Sequence, residues 1–277
     1  MPVLGPVPLR SIRRSHVMEV VRRCSRDLGL GPLVTRYTVA TLRAILAAAV
    51  AERLIPTNVA ADKTIPLPKR ERASGTLSAE QVAAIATRIE PRYRAMVLLG
   101  AASGLRPGEL MAVTADRISP AIHLAGDVIP QQATVRVDRQ ATVGHAFAPP
   151  KTASSVREVA VGATVVRTLI EHVRTFGLGD EGLVFSTPTG RMLSSPYTSV
   201  AWTRATAGMD LPPGLTLHDL RHHHASTLLS EGINIAAVAK RLGHSSPTIT
   251  LAHYSWAMPQ DDDLILRASE AIARRLA

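Results

Sequence analysis

One stretch constrains how this chain can fold. Ala60 to Gly75 holds Pro66, Pro68 and the charge run Lys69-Arg70-Glu71-Arg72, with no apolar periodicity. Such a segment has little to bury and reads as an exposed linker. It divides the 277 residues into two units, each with its own apolar pattern. A chain of this length is expected to form two cores rather than one. The predicted boundaries are 1–60 for a helical unit, 61–75 for the linker and 76–277 for a larger unit.

In the first unit, residues 1–15 are rich in Pro and Arg and predict an irregular start. His16 to Leu28 predict a short helix, ended by Gly29-Leu30-Gly31-Pro32. Thr38 is expected to cap a second helix. Its apolar positions Val39, Leu42, Leu46, Val50 and Leu54 follow helical spacing, and Pro56 stops it.

The second unit opens with Ser78 and Gln81, spaced as a capping box for a helix to Ile89. Pro91 starts another helix through Ala102, which Gly104 ends, and Pro107 starts a short one carrying Glu109 and Leu110. The period then changes. Thr134 to Asp138 and Val156 to Val161 alternate as strands do, with Pro149-Pro150-Lys151-Thr152 in the loop between them. Beyond Gly162 helical periodicity returns up to the end. The predicted fold is mainly α with a small antiparallel β-sheet, in two domains. Aromatic residues are only 3%, so the cores must be built from Ala, Val, Leu and Ile.

The formal net charge of +10 favours a polyanionic partner, either nucleic acid or an anionic membrane surface. Cys24 is the only cysteine, which rules out an intrachain disulfide and a cysteine-based zinc site. No run of 18 apolar residues and no N-terminal targeting pattern is present, so a soluble, cytoplasmic protein is expected.

Leu215 to Trp256 carries the chemistry. His218 stands three residues before Arg221, and Tyr254 ten residues after His244. A cation, two imidazoles and a phenol are parts needed to break a phosphodiester with a tyrosine nucleophile. The phenol, with pKa about 10, must attack phosphorus. Cations must hold the charge that builds on the non-bridging oxygens, and an acid must protonate the leaving oxygen. Arg106, at a helix junction after Gly104, is a further cation, with Glu109 one turn on as its partner. Only four of the 32 basic residues are lysines, and one of them, Lys151, falls in the inter-strand loop. Each residue alone also has an ordinary structural reading: a solvated turn arginine, a histidine at a helix end, a half-buried tyrosine, a loop cation. His222, His223 and His224 point about 100° apart on a helix, so they are read as packed or solvated imidazoles and not as a metal site.

Two segments together, Ala102-Ser103-Gly104-Leu105-Arg106-Pro107-Gly108-Glu109-Leu110 and Leu215 to Trp256, resemble the signatures of the tyrosine recombinase (phage integrase) family. The resemblance implies a site-specific DNA recombinase acting through a 3′-phosphotyrosine, with Tyr254 as nucleophile. Arg106, Arg221 and His244 would hold the phosphate, His218 would assist proton transfer, and Lys151 would protonate the leaving oxygen. It implies no cofactor and no metal. The expected partners are double-stranded DNA, three further copies in a tetramer on paired sites, and an accessory directionality factor. The segment Asp262 to Ala277, with Leu264, Leu266, Ile272 and Leu276 at helical spacing, would dock on a neighbouring copy or pack within its own chain. The first unit is similar to a helical core-binding domain that clamps DNA, with the helix around Leu42 to Leu46 followed by Asn58 as its best anchor. Arg36, Arg43, Lys69, Arg70 and Arg72 are the candidate DNA contacts. Two departures stand out: there is no room for an N-terminal arm-binding domain, and the first core-binding helix is short or missing. They leave two alternatives open beside integration or excision: a truncated remnant that binds DNA unproductively, and a topoisomerase-like nicking and closing enzyme.

Overall fold

The computed structural model describes residues 3–68, 76–122, 129–142, 144–258 and, near the C-terminus, 266, 269–270 and 273–274. The chain forms two compact units, Met1–Ala73 and Ser74–Ala277.

The first unit is built from α1 (Arg14–Arg22), a π-type turn (Arg23–Asp27) and α2 (Pro32–Ala51). α2 begins seven residues earlier than the Thr38 cap predicts. Gly31 is extended and Pro32 occupies the first helical position, where its fixed φ suits the helix and its missing N–H costs nothing. The Thr38 hydroxyl instead donates to the Val34 carbonyl inside the helix, at 3.0 Å. α2 also ends at Ala51, so Leu54 lies beyond it and is exposed. By length and composition α2 is apolar enough to cross a membrane, with 20 residues and a mean hydropathy of 1.4. Its stripe Thr35, Val39, Leu42, Leu46 and Ala49 has the spacing of one helix face. Val39 to Ala49 of that stripe pack with Val17, Val21, Ile55, Ala60 and Ile65 as a local core.

In the second unit, α3 (Ala79–Arg88) starts with the expected capping box. The Gln81 N–H donates to Ser78 Oγ and the Ser78 N–H to Gln81 Oε1, at 3.2 and 2.9 Å. α4 (Pro91–Ser103) is mostly buried, with Tyr93, Met96, Val97, Leu99 and Gly100 inside, and α5 (Pro107–Met111) follows directly. The sheet has the order β1 (Ile118–Ser119), β2 (Gln132–Val137) and β5 (Arg157–Gly162), antiparallel throughout. Val135 pairs with Val159, and Ala133, Val135, Val137, Val159 and Val161 face the core. The connection between β2 and β5 is not a plain loop. It carries a second hairpin, β3 (Gln140–Ala141) with β4 (Phe147–Ala148), whose strands are too short to show alternation.

α6 (Ala163–Phe176) follows the sheet. Residues 177–194 then depart from the expected helical run. They form turns and isolated bridges, Thr114 with Leu183 and Ser186 with Met192, because Gly177, Gly182 and Gly190 take positive φ. Helices α7 (Ser195–Thr206), α8 (Asp219–Ser230), α9 (Ile235–Leu242) and α10 (Pro247–Tyr254) complete the unit. Ala225, Leu229, Val238, Leu242 and Tyr254 form a satellite core where the last three helices meet. Of the apolar positions predicted after residue 262, Leu264, Ile272 and Leu276 lie outside the described residues, and Leu266 is helical and exposed.

Candidate active site

α8 places Arg221 in the interior, 2% exposed. The helix start is locked locally. Asp219 Oδ2 accepts from the Thr216 N–H and hydroxyl at 2.6 and 3.1 Å, and Thr216 Oγ1 accepts from the His218 N–H at 3.2 Å. Arg221 donates through Nη1 to the Gly104 carbonyl and through Nη2 to the Leu242 carbonyl, each at 2.7 Å. These are carbonyls at the C-terminal ends of α4 and α9, which have no helical partner of their own. One guanidinium thus ties three helices together and opposes two negative helix ends. Burial first, then the charge of Arg106, push Arg221 down to about 9, which leaves it charged at neutral pH.

The approach is close enough to demand glycine at both helix ends. Gly104 has φ +68, and a Cβ there would stand 2.6 Å from His224 Cδ2 and 2.9 Å from Leu242 Cδ2. Gly243 has φ +69, and its Cβ would meet Arg157 Nη1 at 3.0 Å and the Ser154 carbonyl at 3.1 Å.

Arg106 precedes α5. Its Nη1 donates to Glu109 Oε1 at 2.8 Å and to Ser155 Oγ at 3.3 Å, and its Nη2 to the Gly243 carbonyl at 3.4 Å. Its side chain keeps 33% exposure, so it has an outward face that Arg221 lacks. Glu109 was expected to serve Arg106, and it holds a second arginine as well. Arg157 donates to both of its oxygens, at 3.2 and 2.8 Å, and both side chains are sealed from solvent. Burial alone would raise the Glu109 carboxyl, but the bonds and charge of Arg157, with Arg106, outweigh it and hold the group below the ordinary carboxylate range.

Sequence reasoning missed Arg157, although a signal was present. It stands two and four residues before the inward-facing Val159 and Val161, hence on the same strand face. An arginine pointing inward needs a carboxylate and further acceptors. Arg157 finds them in Glu109, in the Arg241 carbonyl at 2.7 Å and in the Ser155 carbonyl at 2.9 Å.

The three consecutive histidines diverge. His224 Nδ1 meets the Ala101 carbonyl at 2.9 Å and its Nε2 accepts from Arg241 Nε at 2.8 Å, which sets the proton on Nδ1. His223 Nδ1 meets the Leu77 carbonyl at 2.7 Å. His222 Nδ1 lies 2.7 Å from the Tyr254 hydroxyl. The sequence reading assigned His222 no function; only its contact across 32 residues singles it out.

Tyr254 ends α10 and is 3% exposed. Burial pushes its phenol up to about 12, against the pull of Arg221. His218, at the α8 N-terminus, sets its ring perpendicular to that of His222 with centroids 5.0 Å apart. Burial, then the charges of His222 and Arg221, push His218 down to about 4. His244 Nδ1 meets Thr250 Oγ1 at 2.7 Å, while its backbone N–H caps α9 through the Ala239 carbonyl at 3.0 Å. Burial, then Arg221 and Arg106, push this ring to about 4 as well. Arg221 therefore acts electrostatically on Tyr254, His218 and His244 together.

Lys151 stands apart. It lies between β4 and β5, exposed, and among the described residues it makes no hydrogen bond or ion pair. Its neighbour Thr152 is joined to Ser155 Oγ at 3.0 Å, and Ser155 accepts from Arg106, so the segment is moored to the cluster while the lysine is not. In the first unit Arg36 is exposed on α2, with Nη1 donating to the Pro68 carbonyl at 3.5 Å. Arg43 Nε holds the Ala60 carbonyl at 3.0 Å, and Asn58 returns a bond to the Arg43 carbonyl at 2.8 Å. Lys69, Arg70 and Arg72 lie outside the described residues.

The phage integrase family model matches residues 76–260, two thirds of the chain and all of this site. The chain belongs to the phage integrase family. Among curated members, the integrase of Mycobacterium phage D29 is 27% identical over 97% of this chain and 70% of its own length. The prophage phiRv2 integrase of Mycobacterium tuberculosis is 27% identical over 91% of this chain and 66% of its own length. The chain thus spans about two thirds of the length of such relatives. Among solved structures, the Tn1549 transposon integrase in complex with a circular intermediate DNA superposes with a TM-score of 0.77, at 20% identity, over 99% of this chain and 88% of that one. A lambda integrase dimer bound to a core site gives 0.67 at 19% identity, over 91% and 83%. These likenesses establish the shared tyrosine recombinase fold, helix-rich with a small antiparallel sheet.

Proposed function

We propose that this chain is a site-specific recombinase that cuts and rejoins double-stranded DNA through a covalent bond between Tyr254 and a 3′ phosphate. One arrangement carries the reading: a buried arginine, Arg221, held by two helix ends and acting at once on a tyrosine, two histidines and a second, partly exposed arginine. Tyr254 attacks phosphorus. Arg221 and Arg106 hold the non-bridging oxygens as charge builds on them, and His244 assists. Arg221 uses two N–H groups on carbonyls and keeps the others for the phosphate. Such preorganised donors are each worth on the order of hundredfold to thousandfold in rate. Lys151 protonates the departing 5′ oxygen, so that no other acid is needed. His218 lies beside the proton path. Bond energy is conserved in the phosphotyrosine, and rejoining reverses the steps.

DNA as partner is supported by the relatives seen in complex with it and by the net charge of +10. Arg36, Arg43, Lys69, Arg70 and Arg72 are assigned to backbone contacts, which makes binding strongly salt-dependent. Strand exchange by a tetramer on paired sites, with residues 262–277 bridging copies and an accessory factor setting direction, follows from the family reading, as does action in the cytoplasm. The unproductive remnant is not favoured, since the relatives are integrases and Arg221 and Tyr254 are both held in place by hydrogen bonds. Nor is a topoisomerase-like enzyme, since the relatives are integrases.

The test is covalent trapping. Nicked suicide duplexes tiled from DNA flanking the gene are incubated in EDTA with wild type and with Tyr254→Phe, then resolved on a denaturing gel. Wild type is expected to give a slow, protease-sensitive adduct. Tyr254→Phe gives none while binding the same duplexes within about threefold, because only the nucleophilic oxygen is lost. Binding without any adduct from wild type refutes the reading.

A further inference from the structure

We propose that His222 takes the proton from Tyr254 as the phenol attacks. The inference rests on the recombinase reading and assigns a step within it. His222 Nδ1 stands 2.7 Å from the Tyr254 hydroxyl, within the reach required of a general base. The two rings are 5.5 Å apart and tilted by 53°, so the imidazole meets the phenol at its oxygen and not by stacking. Tyr254 is 3% exposed, which leaves bulk water little access to that oxygen. The ordinary phenol is ionised at neutral pH to only about one part in a thousand, and burial lowers that fraction further. A base in contact is needed for the attack to proceed at a useful rate.

Position on α8 explains why His222 and not its neighbours fills the role. His222 stands one helical turn beyond His218 and directly after Arg221, so the residue that meets the nucleophile is next to the one assigned to the phosphate. His218 packs against the His222 ring edge-on and forms no hydrogen bond with Tyr254. His253 faces the same tyrosine with centroids 6.1 Å apart, and Asp219 acts on it from the start of α8. Neither is hydrogen-bonded to the hydroxyl.

The step balances. The Tyr254 O–H bond breaks and its proton joins the Nδ1 lone pair. The phenol oxygen bonds to phosphorus, and the bond from phosphorus to the 5′ oxygen breaks with its electron pair on that oxygen. Lys151 supplies the proton there. On rejoining, Lys151 accepts the proton of the attacking 5′ hydroxyl and His222 returns its own to the phenol.

The test uses the full chain and a suicide duplex that wild type links. His222→Asn keeps an acceptor near the Nδ1 position without its basicity, and His222→Gln is a second variant should the first melt early. Melting temperature and duplex affinity are measured first, and both variants are expected to bind within about threefold of wild type. Single-turnover linkage is expected to slow by about hundredfold or more, the range of general base catalysis. The deciding arm replaces Tyr254 with a fluorinated tyrosine, whose more acidic phenol depends less on a base. In that background the His222→Asn penalty is expected to shrink below about tenfold. The inference is overturned if His222→Asn links DNA within about threefold of wild type, or if fluorination leaves its penalty unchanged, since His222 then only orients the phenol. It is equally overturned if fluorination erases the penalty of His218→Ala instead. Wild type linking no duplex at all sinks the recombinase reading, and this assignment with it, which is a different result from any of these.

Discussion

Arg221 and Lys151 are both assigned to one phosphate, yet they live in opposite surroundings. Arg221 is 2% exposed and pinned to two helix ends, and Arg106, Glu109 and Arg157 act on it from around. Lys151 is exposed and, among the described residues, makes no hydrogen bond or ion pair. The difference follows the two tasks. A cation that stabilises developing charge is most effective when it is already in place and shielded from water. A group that delivers a proton must approach an oxygen, change charge and withdraw, which a guanidinium locked at neutral pH cannot do and an exposed ammonium can. The cost of the fixed cluster is burial of charge, and the Glu109 and Arg157 pair, with carbonyls at its remaining donors, offsets that cost.

Breaking the fixed side should give the largest effect. Glu109→Gln leaves Arg157 buried without its counter-charge and should lower stability by about 3–5 kcal/mol, read from denaturant midpoints. The pH dependence has a definite sign. The folded carboxyl is held below its ordinary value of 4.5, so its contribution is full above that value and is lost as pH falls through the lower, folded one. The stability gap between wild type and Glu109→Gln should therefore be constant near neutrality and close only in acid. A gap that is already closing at pH 7 would mean that Glu109 is not the anion of this cluster.

Arg221→Lys comes next. A single ammonium cannot hold both the Gly104 and Leu242 carbonyls and still present a flat pair of donors to phosphate. Linkage rate on a suicide duplex should fall by about hundredfold to thousandfold, and the melting temperature should fall with it. A rate loss without any loss of stability would contradict the view that one side chain serves both ends.

Lys151→Ala sharpens the contrast from the other side. Stability should change by less than about 0.5 kcal/mol, as for a surface site. Linkage should slow by about hundredfold on normal DNA. The loss should largely vanish on DNA whose 5′ bridging oxygen is replaced by sulfur, because a thiolate leaves without a proton. A penalty that persists on the sulfur substrate would assign Lys151 to the phosphate charge and not to the leaving group.

What the sequence determined by itself were the features written in neighbouring residues. The Ser78 and Gln81 box, the glycine end at Gly104, the Pro91 and Pro107 starts and the alternation of β2 and β5 all depend on local sterics and period. So did the order of the candidate residues from Arg106 to Tyr254, in which the family resemblance was legible. Local rules failed where they were weak: α2 starts at Pro32, β3 and β4 are too short to alternate, and residues 177–194 follow their glycines instead of a helix. Only the tertiary structure decided which charges are buried and whom they meet. Arg157 reaches Glu109 across 48 residues, Arg221 reaches Gly104 across 117, and His222 reaches Tyr254 across 32. Side-chain partnerships at such separations depend on how whole helices and strands pack, and no local preference of Arg157 or His222 encodes them.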